Sequence, residues 1–228
     1  MEQKIVDFAI QLAVILFAIS FHESAHAFAA LKFGDTTARD LGRISLNPIR
    51  HLDPFGSVIL PIMLYVLSAG RFIFAAAKPT PVNLRNTRNP RLANLVVSAA
   101  GPASNFLLAG LGIALLAIIR AGSPGSIADL AEAVQGQRFA PGALAPIAYL
   151  LWSFVVVNTL LAVFNLIPIP PLDGSGVLLS LGGAGVARAF LALRPFGFLL
   201  LILLISTPFL GWLFAPFYRL VVRLVFGG

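Results

Sequence analysis

The chain contains no cysteine. That excludes disulfides and every metal site built on thiolates, so a bound metal has to take histidine, aspartate or glutamate. Charge is scarce as well. Only 11% of the 228 residues are charged, where a soluble domain carries roughly 25%. With 58% hydrophobic residues, the chain reads as an integral membrane protein, and the lipid bilayer is its first partner. The apolar stretches are long and do not alternate, so they are helices and not barrel strands. No internal repeat, low-complexity linker or soluble appendage is visible. The first apolar run lacks a convincing small-residue cleavage site and is read as retained. The formal net charge of +7 calls for no nucleic acid, because basic loops lying against an anionic cytoplasmic leaflet account for it.

The expected fold class is an all-α polytopic membrane protein of about four to six membrane segments. Residues 5–32 form the first helix. Residues 34–53 are polar, with turn signals at Gly34, Gly42, Asn47-Pro48 and Asp53-Pro54, and leave room for short strands around 41–46. Residues 55–77 are apolar but broken by Pro61 and Gly70. A basic, proline-bearing loop covers 78–91 (KPTPVNLRNTRNPR). A long apolar helix over 92–119 is interrupted at Gly101-Pro102. A polar loop (120–141) and another span (144–167) follow. The run PIPPLDG breaks that span at 168–174, and a short helix takes 174–181. A last span lies within 195–226, where Pro208 separates an amphipathic tail suited to the interface. Arg39, Arg43, Arg50, Lys78, Arg85, Arg88 and Arg91 lie before residue 92, so the positive-inside rule puts these loops in the cytoplasm. Both flanks of 55–77 are then on one side, which makes that segment a re-entrant hairpin. The whole of 1–228 is expected to be one domain. Its metal motifs fall on 5–32 and 144–181, its hairpin and basic loop on 55–91, and its C-terminal helices on 195–226.

Two of the three histidines stand in HESAH, residues 22–26, inside the first apolar run. His22 and His26 are four apart and lie one above the other on a helix face, where two imidazoles can share a metal ion. Glu23 points to the adjacent flank, where it can act on water as an acid/base. Ionisable groups at membrane depth are costly, so three together need a reason. The plainer alternative is a polar cluster bonded to neighbouring helices. A third ligand is required, and Asp173 in PPLDG is the best candidate, being an acid set close within apolar sequence. With the hairpin re-entrant, HESAH and Asp173 fall at the same depth. Asp173 as the N-cap of the helix after it is the competing account. His51, in NPIRHLDPFG, is either a substrate or additional metal contact or an ordinary surface histidine beside Asp53.

HESAH in a membrane helix, followed much later by NLIPIPPLDG (165–174), resembles the site-2 proteases, which are intramembrane zinc metalloproteases. GPASN (101–105) looks like that family's GPxxN element. The resemblance implies one Zn2+ per chain held by His22, His26 and Asp173, with Glu23 as catalytic acid/base. It implies that Asn165 lies near the metal and helps hold the scissile carbonyl or its oxyanion, where interhelical hydrogen bonding is the alternative. For Asn105 and Asn158, interhelical bonding is the expected role. The partner implied is a transmembrane protein substrate, cut in or near its membrane segment. The chain resembles the compact bacterial or archaeal form without a PDZ or CBS domain. The implied location is a prokaryotic plasma membrane, with the site toward the cytoplasm. The loop KPTPVN and the hairpin can offer an edge to an unwound substrate strand. The alternative from another class is a zinc-binding membrane protein without proteolytic activity, a transporter or scaffold. A transporter would carry several intramembrane carboxylates or histidines along a path, whereas this chain has one compact set.

Overall fold

The computed structural model describes residues 2–70, 73, 75–135 and 144–227. Helix α1 (Glu2–Lys32) holds HESAH near its C-terminal end. It stops at Gly34, whose φ of +103° is open to glycine at little cost. A short helix α2 (Thr37–Asp40) follows. Residues 41–46 form turns, so the strands expected there are absent. The loop's hydrogen bonds go to itself and to α1, leaving no ladder to pair. Asp53 caps π-helical turns over Pro54–Ile59, which lead into α3 (Leu60–Leu67).

The segment containing α3 doubles back. Leu52 bridges antiparallel to Ala77. The Ala76 N–H donates to the Gly56 carbonyl (2.9 Å) and the Lys78 N–H to the His51 carbonyl (2.9 Å). The two limbs therefore meet at their root, as a re-entrant hairpin requires. Residues 71, 72 and 74 of its return limb lie outside the described residues.

Asn89 caps α4 (Pro90–Gly122) by accepting from the Leu92 N–H, with proline at the first helical position. The interruption expected at Gly101-Pro102 does not occur, and α4 runs through it. Pro102 is fully buried among neighbouring helices, a setting in which membrane helices tolerate a missing N–H. Part of the expected polar loop at 120–141 is helix α5 (Pro124–Val134), because Ile127 and Leu130 bury against the bundle. Residues 136–143 lie outside the described residues. Helix α6 (Ala145–Asn165) is followed by the PIPPLDG turn and α7 (Asp173–Leu181). Then come α8 (Ala184–Leu193), α9 (Gly197–Ile205) and α10 (Phe209–Val222).

Among the described residues, four helices are long and apolar enough to cross a membrane: Ile5–Lys32, Pro90–Gly122, Ala145–Asn165 and Phe209–Gly227. The chain is an integral membrane protein. Its C-terminal piece, expected as an interfacial tail, is long and apolar enough to cross a membrane and packs on the bundle through its last turns. Val221 and Val225 are buried with Leu116, Trp152 and Val155, and the Trp152 ring lies 5.2 Å from that of Phe226.

Helix α4 is the centre of the bundle. A stripe of small or buried residues every four positions on α1 (Val14, Ala18, His22, His26, Ala30) meets a like stripe on α4 (Ala93, Val97, Gly101, Asn105, Ala109). His26 lies against Val97 and His22 against Asn105, so the two helices are antiparallel. On another side, Asn105 meets Asn158 and Gly112 meets Val155, which makes α6 antiparallel to α4 and parallel to α1. The end of α1, the start of α4 and the end of α6 thus lie together.

Candidate metal centre

The structure brings His22, His26 and Asp173 together across more than 140 residues of sequence. Asp173 Oδ2 lies 3.0 Å from His22 Nε2 and 3.3 Å from His26 Nε2. The two Nε2 atoms are 3.0 Å apart. Among the described residues, no other group of three such side chains converges in this way. Both rings are less than a tenth exposed.

The outer ring nitrogens are engaged. His26 Nδ1 is 2.6 Å from the Val97 carbonyl, which can only accept. His22 Nδ1 is 2.6 Å from Asn105 Oδ1. Each Nδ1 therefore carries the proton, and a neutral ring presents a bare Nε2 to the centre. Asp173 Oδ2 is buried and has no hydrogen-bond partner. Three lone pairs facing one another over about 3 Å repel unless a cation sits between them. A tetrahedral zinc with bonds of about 2.0–2.1 Å holds adjacent donor atoms about 3.3 Å apart, which matches this triangle. The donor set is also suited to zinc: two imidazoles and a carboxylate, leaving a fourth position open.

Glycine makes room for the rings. A Cβ on Gly101 would fall within 2.5 Å of His22 Nε2, so only glycine lets the α4 backbone lie against both imidazoles. Asp173 is placed by the docking of α7 on α4. Arg91 Nε donates to the Ser180 carbonyl at the end of α7 (2.6 Å), a cation at a helix C-terminus. Asn94 Nδ2 donates to the Gly176 carbonyl (3.0 Å) and to Ser180 Oγ (2.7 Å). Gly176 packs on Ser98, and Gly174 packs on the Leu166 carbonyl. Leu172 holds the N-cap position of α7 and Asp173 is its first residue, with the carboxylate oxygen Oδ2 turned to the two histidines.

A cavity of about 340 Å³ adjoins the triangle, lined by Glu23, Thr80, Val82, Asn94, Ser98 and Asn165 among others. Two larger cavities, of about 480 and 570 Å³, hold none of the three ligand candidates. Glu23 Oε2 accepts the backbone N–H of Thr80 (2.7 Å), and Thr80 Oγ1 donates to the Glu23 carbonyl (3.0 Å). The KPTPVN loop thus lies over the catalytic candidate. Asn165 Nδ2 donates to the Leu161 carbonyl one turn back (2.9 Å), which uses one of its two N–H bonds.

His51 is not in this cavity. It is buried, with Nε2 2.7 Å from the Ser45 carbonyl and 3.3 Å from Ser24 Oγ. It is therefore neither at the surface nor beside the histidine pair, and it braces the far flank of HESAH.

Four contributions are invisible to residue-type reasoning: the Thr80 N–H, the Val97 carbonyl, the Gly101 cradle and Asp35. The last is fully buried and accepts from Thr37 N (3.1 Å), Thr37 Oγ1 (2.5 Å), Asn83 N (2.6 Å) and Asn86 Nδ2 (3.1 Å). It ties the end of α1 to the loop carrying Thr80. Burial pushes its carboxyl upward, but the bonds from Thr37, Asn83 and Asn86 outweigh this and hold it below the ordinary carboxylate range. The spacing of Val97, Gly101 and Asn105 was a usable signal, since all three fall on one helical stripe.

The model of peptidase family M50 matches residues 10–204. A Bacillus subtilis protein named "Putative zinc metalloprotease YwhC" is 38% identical over 205 residues, covering 89% of this chain and 84% of that protein. Proteins named "Putative zinc metalloprotease Rip2" are similar as well. The one from Mycolicibacterium smegmatis is 35% identical over 92% of this chain and 72% of its own length. That from Mycobacterium tuberculosis H37Rv is 30% identical over 93% and 73%. No solved structure matches the chain.

Proposed function

The chain belongs to peptidase family M50, the site-2 protease family of zinc metalloproteases, and on that premise we propose that it is an intramembrane zinc endopeptidase acting in regulated intramembrane proteolysis. It cuts peptide bonds in or near transmembrane segments of protein substrates. One Zn2+ is held by His22, His26 and Asp173. The single observation that carries this is the triangle of bare donor atoms, closed by a buried Asp173 Oδ2 without a hydrogen-bond partner. The basic loops before residue 92 support a site facing the cytoplasm of a prokaryotic cell. One domain supplies both metal motifs.

Bound zinc supplies Lewis-acid polarisation of a carbonyl and lowers the pKa of water at the site. Glu23 accepts a proton from the attacking water and returns it to the leaving amine as the C–N bond breaks. Its carboxylate is oriented for this by the Thr80 N–H. Asn165 borders the cavity and has one N–H to spare, which we assign to the developing oxyanion. The segment over Pro79, Thr80 and Val82 borders the cavity and offers backbone groups to an unwound substrate strand.

Two variants test the assignment. Asp173→Ala, purified in detergent without chelator, is expected to lose the roughly one zinc per chain found in wild type by elemental analysis. Glu23→Gln is expected to keep that zinc and lose about 10²-fold or more in cleavage. Wild type without metal would sink the protease assignment. Full cleavage by Glu23→Gln would overturn Glu23 as the acid/base, whereas wild type that holds zinc but cleaves nothing would favour a transporter or scaffold.

A further inference from the structure

We propose that Asn105 and Asn158 form a one-way amide chain that fixes the tautomer of His22 and so presents its Nε2 to zinc. The proposal rests on the zinc site argued above and assigns work to two asparagines that the catalytic chemistry does not use. Both are fully buried, so water cannot complete or reverse their hydrogen bonds.

The direction of the chain is set at its ends. The Phe154 carbonyl can only accept, and Asn158 Nδ2 donates to it (2.8 Å). Asn158 must then turn Oδ1 toward Asn105. Asn105 Nδ2 donates to that oxygen (2.9 Å) and to the Ala18 carbonyl (3.3 Å), a second acceptor-only group. Asn105 is left with Oδ1 toward His22, and an amide oxygen accepts only a ring N–H. Flipping either amide would set donors against donors and acceptors against acceptors. His22 therefore keeps its proton on Nδ1 and its lone pair on Nε2.

His26 reaches the same state by a different route. Its partner is the Val97 backbone carbonyl, which no side-chain substitution removes. The dependence on side chains is thus confined to His22. The same pair of amides also joins α1, α4 and α6 at one point. Interhelical bonding was the role expected of them from sequence, and it is here combined with control of a ligand.

The test measures zinc affinity of the full-length chain in detergent by chelator competition, together with the absorption spectrum of the cobalt(II)-loaded protein. Asn105→Leu is expected to weaken zinc by about 10–100-fold, the scale for loss of a group bonded to a ligand histidine, and to alter the cobalt spectrum. Asn158→Leu leaves Asn105 with the Ala18 carbonyl alone and is expected to weaken zinc less. Thr159→Val removes a buried hydroxyl bonded only within its own helix and is expected to change neither readout. Wild-type affinity and spectrum in Asn105→Leu would overturn the proposal. So would equal losses in Asn158→Leu and Thr159→Val, which would show a general packing effect. If Asn105→Leu does not fold, the comparison of Asn158→Leu with Thr159→Val decides. Absence of zinc from wild type would overturn the metal site itself and is read separately.

Discussion

The HESAH segment is held in two different ways on its two sides. Toward α4, His22 and His26 meet helix backbone and buried amides, packed without room for a methyl group at Gly101. Toward the loops, Glu23 and Ser24 meet Thr80, Ser45 and His51, which lie on irregular chain. The proposed ligands lie on helices, and the proposed acid/base is covered by irregular chain. A hydrolase in a membrane needs both, since its metal has to be preorganised while its substrate has to be admitted.

Breaking the helix side should have the largest effect. Gly101→Ala puts a methyl group into the space of both imidazoles. It should abolish zinc binding and cleavage together, as measured by elemental analysis and a cleavage assay. Zinc retained in that variant would mean that α4 yields more readily than its packing suggests.

The loop side should uncouple the two readouts. Thr80→Pro removes the N–H that Glu23 accepts. A hydrogen bond to a charged group is worth about 1.5–3 kcal/mol, so cleavage should fall roughly 10–100-fold. Zinc content should not change. A parallel loss of metal would erase the distinction between the sides.

Asp35→Ala should act on the same loop from further away. Loss of a carboxylate that accepts four bonds should destabilise the loop by roughly 2–3 kcal/mol. Faster hydrogen exchange over 79–87, with exchange in α4 unaffected, is the expected result. Acid should reproduce it. The carboxyl of Asp35 is held below the ordinary range when folded. Its contribution is complete above the unfolded value of about 3.9 and is lost as pH falls through the lower folded value. Asp35→Asn should remove that acid step.

The smallest effect is expected at Ser24. Its hydroxyl donates to the Ser45 carbonyl (2.5 Å), and Ser24→Ala should cost about 1 kcal/mol. Zinc binding should be unchanged in a chelator titration. The same titration on His51→Ala should show zinc retained, because His51 lies outside the ligand triangle.

Much of this was legible in the chain. Long apolar runs announced the membrane helices, because lipid leaves the backbone few alternatives. Basic flanks on both sides of 55–77 announced a segment that doubles back, and the paired root at Leu52 and Ala77 is what such a segment needs. The unbroken α4 and the packing of the C-terminal helix on the bundle were not legible. A proline in a helix is tolerated only where neighbours surround it, and the amphipathic face of 209–227 suits a bundle as well as an interface. The burial of His51 was not legible for a related reason. Arg50 and Asp53 beside it suit a surface, but its spatial neighbours are α1 and the root of the hairpin.

The sequence by itself determined the helical membrane class, the pairing of His22 with His26 and the candidacy of Asp173. These follow from apolar run length, four-residue spacing and a carboxylate amid apolar residues, all of which are local. Only the tertiary structure decided that Asn105 faces His22, that Gly101 cradles both rings, and that Thr80 and Asp35 govern the flank of Glu23. Those relations join residues dozens of positions apart. Their energies come from burial and from the direction of hydrogen bonds where water is excluded, and neither exists until the helices have packed.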